Sequence, residues 1–141
     1  MTEFRLSADL ARAMIAHAQE EYPKECCGVL TGPEHGTARK AYPLRNVDPD
    51  PVMRYAADPK QLKTVSDEIF DLDHEVLCVY HSHTHTPAFP SSTDVDRASY
   101  PDAVYAIISL VDRATPDLRA FRILEGRIEE LPVVRPSEEP A

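Results

Sequence analysis

The sequence has few cysteines and few basic residues, and each shortage excludes a class of protein. Only 3 of the 141 residues are cysteines, and two of them, Cys26 and Cys27, are adjacent. Adjacent cysteines rarely reach ordinary disulfide geometry, which disfavours a secreted disulfide scaffold. The 15 lysines and arginines face 24 acidic residues, for a net charge of -9. Phosphate backbones and anionic headgroups would repel such a chain, so we expect neither nucleic acid nor a membrane as partner.

Long apolar runs are also missing. None approaches the roughly 18 residues that a membrane span needs, and the first residues lead into an amphipathic stretch rather than a signal peptide. We therefore expect a cytoplasmic protein. With 28% charged and 43% hydrophobic residues, the composition is that of one soluble globular domain. We predict a single domain over residues 1–134 and a disordered tail, rich in proline and glutamate, over 135–141.

The spacing of apolar residues predicts a mixed α/β fold with a central β-sheet flanked by helices. One helix is predicted over 6–21, with Ser7 or Asp9 as its cap and Pro23 after its end. A second begins at the capping Asp58 and runs to about residue 71, and a short third helix covers 91–100. The predicted strands cover 26–31, 37–44, 53–55, 76–80, 103–111, 118–124 and 127–133.

His81 and His83 follow the most strand-like run of the chain. They are two residues apart, so their side chains leave the same face of a strand and can reach one ion. Asp94, after a loop of ten residues and in the first turn of the next predicted helix, is the third candidate ligand. Two histidines and one carboxylate leave a fourth tetrahedral position open, which is typical of a catalytic zinc site.

Ser91 and Glu25 are the other candidates for chemistry. The hydroxyl of Ser91 can point toward the same space, or it can cap the helix that carries Asp94. Glu25, next to a strand of buried character, is the carboxylate best placed to serve as a base. The alternative for Glu25 is an exposed charge after Pro23 and Lys24.

These residues form one string: Glu-x-Cys-Gly at 25–28, then His-x-His, seven residues, Ser, two residues and Asp. In order and spacing the string resembles the JAMM (MPN+) zinc metallopeptidase family, and the resemblance covers nearly the whole chain. It implies the JAMM/MPN architecture, which is distantly similar to that of the cytidine deaminases. A zinc deaminase itself is excluded, because its signature needs His-x-Glu and Cys-x-x-Cys.

The resemblance implies a role for each residue. His81, His83 and Asp94 would bind one catalytic Zn2+, which would polarise the scissile carbonyl. Glu25 would take a proton from the attacking water and deliver it to the leaving amine. Ser91 would donate a hydrogen bond to the oxyanion, a contribution of about 3 to 4 kcal/mol in other hydrolases.

Thr84 stands where many family members have proline. In this respect the chain is similar to a small actinobacterial branch that acts on ubiquitin-like sulfur carrier proteins. That similarity implies cleavage of the amide bond after the carrier's C-terminal glycine, with release of cysteine. His85 is expected to be an exposed loop residue rather than a substrate contact.

Two other functions stay open at this point. The same site could serve a small-molecule amidase, or the domain could be a non-catalytic scaffold of the same fold. The strand predicted over 37–44 has the character of a sheet edge, which permits a homodimer without requiring one.

Overall fold

Six strands form one mixed β-sheet in the computed structural model, which describes residues 3–34 and 36–136. The sheet order is β3-β2-β4-β5-β6-β7, and all neighbours are antiparallel except β4 and β5. The predicted mixed α/β fold is therefore confirmed. In chain order the elements are β1 (Phe4–Arg5), α1 (Ala8–Glu21), β2 (Cys27–Gly32), β3 (Lys40–Leu44), α2 (Pro59–Leu72), β4 (Glu75–His83), α3 (Ser92–Arg97), β5 (Val104–Ser109), β6 (Asp117–Leu124), β7 (Arg127–Leu131) and β8 (Val133–Val134).

The two long helices cover opposite faces of the sheet. α1 buries Met14 and Ala18 against a core that includes Tyr80 of β4. α2 buries Val65 on the other face, against a core that includes Val79. Strands covered on both faces are apolar throughout, which is why β2 and β5 read as continuous apolar runs.

Both long helices begin at caps that the sequence predicts. Ser7 Oγ accepts a hydrogen bond from the Leu10 N–H at 3.2 Å, and Asp58 Oδ1 accepts one from the Lys60 N–H at 2.9 Å. Each such cap stabilises a helix by about 1 kcal/mol. α1 ends at Glu21, before Pro23, as predicted.

The strand predicted over 53–55 is wrong. Residues 51–53 form a turn, and within the described chain the pairing of this region is one bridge between Asn46 and Ala57. The side chain of Asn46 bonds the main chain in place of a neighbouring strand. Its Nδ2 donates to the Arg54 carbonyl at 2.9 Å, and its Oδ1 accepts from the Ala56 N–H at 3.1 Å. The segment is therefore a loop organised around one polar side chain.

Four other predicted elements are too long. The strands predicted over 37–44 and 103–111 cover Lys40–Leu44 and Val104–Ser109. α3 ends at Arg97 rather than at residue 100, because the Tyr105 hydroxyl accepts hydrogen bonds from the N–H groups of Ser99 and Tyr100, each at 2.9 Å. The strand predicted over 127–133 is divided at Pro132. Its last residues form β8, which pairs in parallel with β1.

Three remaining predictions concern the C-terminal tail, the edge of the sheet and membrane association. The predicted disordered tail lies, from residue 137, outside the described residues. β3 is an edge strand, whereas the homodimer stays a prediction. Among the described residues, no helix is both long and apolar enough to cross a membrane.

Candidate metal centre

The last residues of β4 bring two imidazoles to one point. His81 and His83 lie on the same face of the strand, and their Nε2 atoms are 3.2 Å apart. The exposed fractions of the two side chains are 1% and 5%. β4 is held between β2 and β5 here, with His81 opposite both Cys27 and Ile107. The strand therefore fixes the position of both rings.

Asp94 reaches the same point from the first turn of α3. Its Oδ2 lies 2.9 Å from His83 Nε2 and 3.2 Å from His81 Nε2. A capping box holds the turn: Ser91 Oγ accepts from the Asp94 N–H at 3.1 Å, and Asp94 Oδ2 accepts from the Ser91 N–H at 2.9 Å. Ser91 is thus the N-cap of α3.

The three donor atoms fit a tetrahedral cation. A tetrahedral ion with ligand bonds of about 2.0–2.1 Å keeps its ligand atoms about 3.3 Å apart, close to the spacings of 2.9 to 3.2 Å in this site. Imidazole nitrogen and carboxylate oxygen are ligands that zinc accepts. Within the described residues this is the one such group of potential ligands. Three protein ligands leave room for water or substrate.

Each imidazole is oriented by a different contact. His83 Nδ1 donates to the Pro87 carbonyl oxygen at 2.9 Å. Once Nε2 loses its proton, this contact leaves the Nε2 lone pair directed at the cluster. His81 Nδ1 is buried and has no hydrogen-bond partner among the described residues. Its ring is instead stacked on Tyr55, with ring centroids 4.5 Å apart.

The charges of the cluster favour a bound cation. Burial alone would raise the pKa of Asp94, but hydrogen bonds from His81 and His83 hold that pKa well below its usual value. Burial lowers the pKa of His81. Asp94 therefore stays ionised and His81 stays neutral near pH 7. Burial alone would lower the pKa of His83, but hydrogen bonds to Asp94 and the Pro87 carbonyl raise it, so a bound cation would displace the Nε2 proton of His83.

Glu25 lies two residues before Cys27, where the ladder between β2 and β4 starts opposite His81. The side chain is buried, with a residue exposure of 5%, so the alternative of an exposed charge is wrong. Burial raises the pKa of Glu25 from 4.5 to about 8; the charge of His83 opposes this rise, and that of Asp94 adds to it. These influences place the carboxyl within electrostatic reach of the ligands.

The other singled-out residues have simple environments. His85 is exposed, as predicted, and its Nδ1 lies 2.7 Å from the Thr84 hydroxyl. Cys26, Cys27 and Cys78 are all free and buried. The cysteines therefore act as small core residues, as the sequence suggests.

Comparison with known proteins identifies the family. The sequence pattern of the family described as prokaryotic homologs of the JAB domain matches residues 7–124. The chain belongs to this family. A CysO-cysteine peptidase of Mycobacterium tuberculosis is 41% identical over 129 residues, which cover 91% of this chain and 88% of the relative. A desampylase of Haloferax volcanii is 37% identical over 122 residues, covering 82% and 88%.

The fold of this JAB-domain chain also matches a solved structure. The solution structure of a protein from Desulfitobacterium hafniense superposes with a TM-score of 0.84 and 31% sequence identity. The match covers 96% of this chain and 94% of the other. The predicted JAMM (MPN+) family is thus confirmed.

The sequence did not single out three residues that shape the JAB-domain site. Tyr55 stacks on His81, the Pro87 carbonyl orients His83, and Arg97 donates to the Tyr55 carbonyl oxygen at 2.9 Å. The first two contacts join loops to β4, and no periodicity in the sequence signals such contacts. The Asp-x-x-Arg spacing does place Arg97 one turn after Asp94, on the same helix face, and is the one available signal.

Proposed function

We propose that this chain is a zinc-dependent JAMM peptidase that hydrolyses the amide bond after the C-terminal glycine of a ubiquitin-like sulfur carrier protein and releases cysteine. The observation that carries the proposal is the convergence of two imidazoles and a carboxylate beside a second, buried carboxyl of raised pKa. The relatives named CysO-cysteine peptidase and desampylase support the substrate class. The hydrolase class predicted from the sequence is confirmed by the family and these names.

The proposed ligands of the zinc ion are His81, His83 and Asp94. When bound there, the ion supplies Lewis-acid chemistry, polarising a carbonyl oxygen and making water more acidic. The ligand atoms are already close together, so binding needs little rearrangement of the side chains. A cytoplasmic location belongs to the proposal, and the three free cysteines support it.

Glu25 is the proposed general base and then the general acid. A group that takes a proton and returns it works best when its pKa lies near the working pH. Burial raises the pKa of Glu25 to about 8 without a cation, and a cation bound beside it would lower that pKa toward the working pH. The carboxylate would take the proton of the attacking water and deliver it to the leaving amine. Ser91 is proposed to donate its hydroxyl hydrogen to the oxyanion, because its oxygen already accepts the Asp94 N–H.

The test compares Glu25→Gln with the wild type, using a CysO-type carrier that has cysteine amide-linked to its C-terminal glycine. We expect one zinc per chain in both proteins by elemental analysis, and a kcat lowered about 1,000-fold in the variant, within the range that loss of a general base costs. Glu129→Gln, an exposed glutamate of β7, is the matched control and should leave kcat unchanged.

Three results would contradict the proposal. Zinc-loaded wild type that leaves the adduct intact would favour a scaffold. Cleavage of free dipeptides but not of the carrier adduct would favour a small-molecule amidase. Wild-type activity in Glu25→Gln would remove Glu25 from the mechanism.

A further inference from the structure

One side chain outside the motif holds the main chain of Glu25. Asn46 Nδ2 donates to the Glu25 carbonyl at 3.0 Å, and shares its hydrogens with the carbonyls of Arg54 at 2.9 Å and Pro51 at 3.3 Å. The Glu25 N–H in turn donates to the Pro51 carbonyl at 2.8 Å. Both backbone groups of Glu25 are therefore bonded to the loop over 46–57 or to the side chain that organises it.

The acceptor atom of the same amide organises the rest of this loop. Asn46 Oδ1 accepts from the N–H groups of Asp48 and Ala56, at 3.0 and 3.1 Å. An asparagine side chain that uses both its oxygen and its nitrogen on the main chain leaves the loop little conformational freedom. The loop is consequently fixed relative to Glu25.

The loop also contacts the residues that bind the metal in the proposed function. Tyr55 stacks on His81. Arg97, one turn after Asp94 in α3, donates from Nη1 to the Tyr55 carbonyl at 2.9 Å and to Asp48 Oδ2 at 3.1 Å. The loop thus joins three parts of the site that are distant in sequence: the strand of His81, the helix of Asp94 and the segment of Glu25.

We propose that Asn46 is a positioning residue that sets the place of the Glu25 carboxylate relative to the metal ligands. The inference rests on the proposed function, since it concerns the same site. Glu25 precedes β2, whose ladder to β4 starts at Cys27, so the strand pairing alone does not fix it. A displacement of about 1 Å can lower the rate of a reaction about 100-fold, which gives the Asn46 amide a large influence on turnover.

The experiment uses two substitutions of Asn46 and one control. Asn46→Ala removes all the bonds of the side chain, whereas Asn46→Asp keeps the acceptor for Asp48 and Ala56 but loses the donors to Glu25. Ser7→Ala removes the N-cap of α1 on the opposite face of the sheet. It lowers stability without touching the loop.

Each protein is first shown to be folded by circular dichroism, and kcat, KM and zinc content are then measured. We expect kcat to fall about 100-fold in both Asn46 variants, while KM changes less than about 3-fold and zinc is retained. Ser7→Ala should keep the wild-type kcat. If the Asn46 variants lose only thermal stability, as Ser7→Ala does, or lose activity only by losing zinc, the positioning role is overturned.

Two readouts do not depend on turnover. The visible spectrum of the cobalt-substituted protein should change in Asn46→Ala, because Tyr55 no longer holds the His81 ring. Amide hydrogen exchange should speed up at Glu25 in both variants and at Ala56 in Asn46→Ala alone. If the wild type does not cleave the carrier adduct, the proposed function fails, but an unchanged spectrum and unchanged exchange are what would refute the role of Asn46.

Discussion

Asp94 carries two tasks on one oxygen atom. Its Oδ2 accepts the Ser91 N–H and also lies beside both imidazole Nε2 atoms. The cap therefore fixes the side-chain rotamer of Asp94 before any cation arrives. A ligand that is already oriented loses little conformational entropy on binding, which favours tight coordination.

Replacing Asp94 by Asn should separate these tasks. The amide oxygen can still accept the Ser91 N–H, so α3 should remain folded. We expect the affinity for zinc to fall more than about 100-fold, since the loss of groups that merely support a ligand already costs 10- to 100-fold. Competition with a chromogenic chelator measures the affinity. The control is Asp96→Asn, an exposed neighbour in the same helix; equal affinities for the two variants would remove Asp94 from the ligand set.

The sequence predicts the candidate metal ligands better than the residues that hold those ligands in place. His81, His83 and Asp94 were predicted as a group, and the structure brings them together, because alternation along a strand and the helix start after a fixed loop are local rules. Tyr55 and Asn46 were not predicted. The contact of Tyr55 with His81 and that of Asn46 with Glu25 each join segments more than 20 residues apart along the chain, and no local pattern predicts such packing.

At the scale of elements, the contact between β2 and β4 depends on a glycine. Gly28 lies opposite Tyr80, which immediately precedes His81. A Cβ built on Gly28 would lie 2.5 Å from the Tyr80 hydroxyl oxygen, far inside van der Waals contact. The Tyr80 ring cannot swing aside freely, because its hydroxyl is hydrogen-bonded to His17 Nδ1 at 2.8 Å and the residue is 1% exposed.

Gly28→Ala should therefore lower the free energy of unfolding by about 2 to 4 kcal/mol, combining overpacking with the loss of one hydrogen bond. Urea denaturation measures the loss. Gly126→Ala is the matched control, because Gly126 has a φ of +77° and nothing within 4 Å of a built Cβ. It should lose only the backbone cost of about 1 kcal/mol. Similar losses in both variants would mean that Tyr80 can repack without cost.

Elements with local signals were predicted well, and those defined by distant partners were not. A few consecutive residues are enough to predict the helix caps at Ser7 and Asp58, and both caps are confirmed. The segment over 53–55 has strand-like residues, but Asn46 satisfies its main chain instead of a strand. β1 and β8 pair over two residues each and join opposite ends of the domain. Strands this short are not predictable, because two residues cannot show the alternation of apolar and polar side chains.

At the scale of the whole molecule, negative charge is in excess, and acidic side chains also surround Glu25 in the site. The charges of Asp94, Asp48 and Asp50 add to the effect of burial in raising the pKa of Glu25. A bound cation offsets this repulsion. In the metal-free protein the carboxyl instead holds its proton in the folded state up to about pH 8, whereas in the unfolded chain it releases the proton near pH 4.5.

This difference predicts how the stability of metal-free protein changes with pH. Between pH 4.5 and 8 the folded state binds more protons at Glu25 than the unfolded state does, so the free energy of unfolding falls as the pH rises. The contribution is fully present below pH 4.5 and lost above pH 8, with a size on the order of 5 kcal/mol.

Glu25→Gln removes this contribution and leaves the distant titrating groups unchanged. The charges of Glu25 and His83 act on each other, so the difference between the two proteins reports Glu25 together with its coupling to His83. Urea denaturation of chelator-treated wild type and variant across this pH range measures the difference. We expect the wild type to lose stability relative to Glu25→Gln with rising pH. If the difference in free energy of unfolding between the two proteins stays constant with pH, Glu25 has the same pKa in the folded and unfolded states. The fold would then not raise the pKa of its carboxyl.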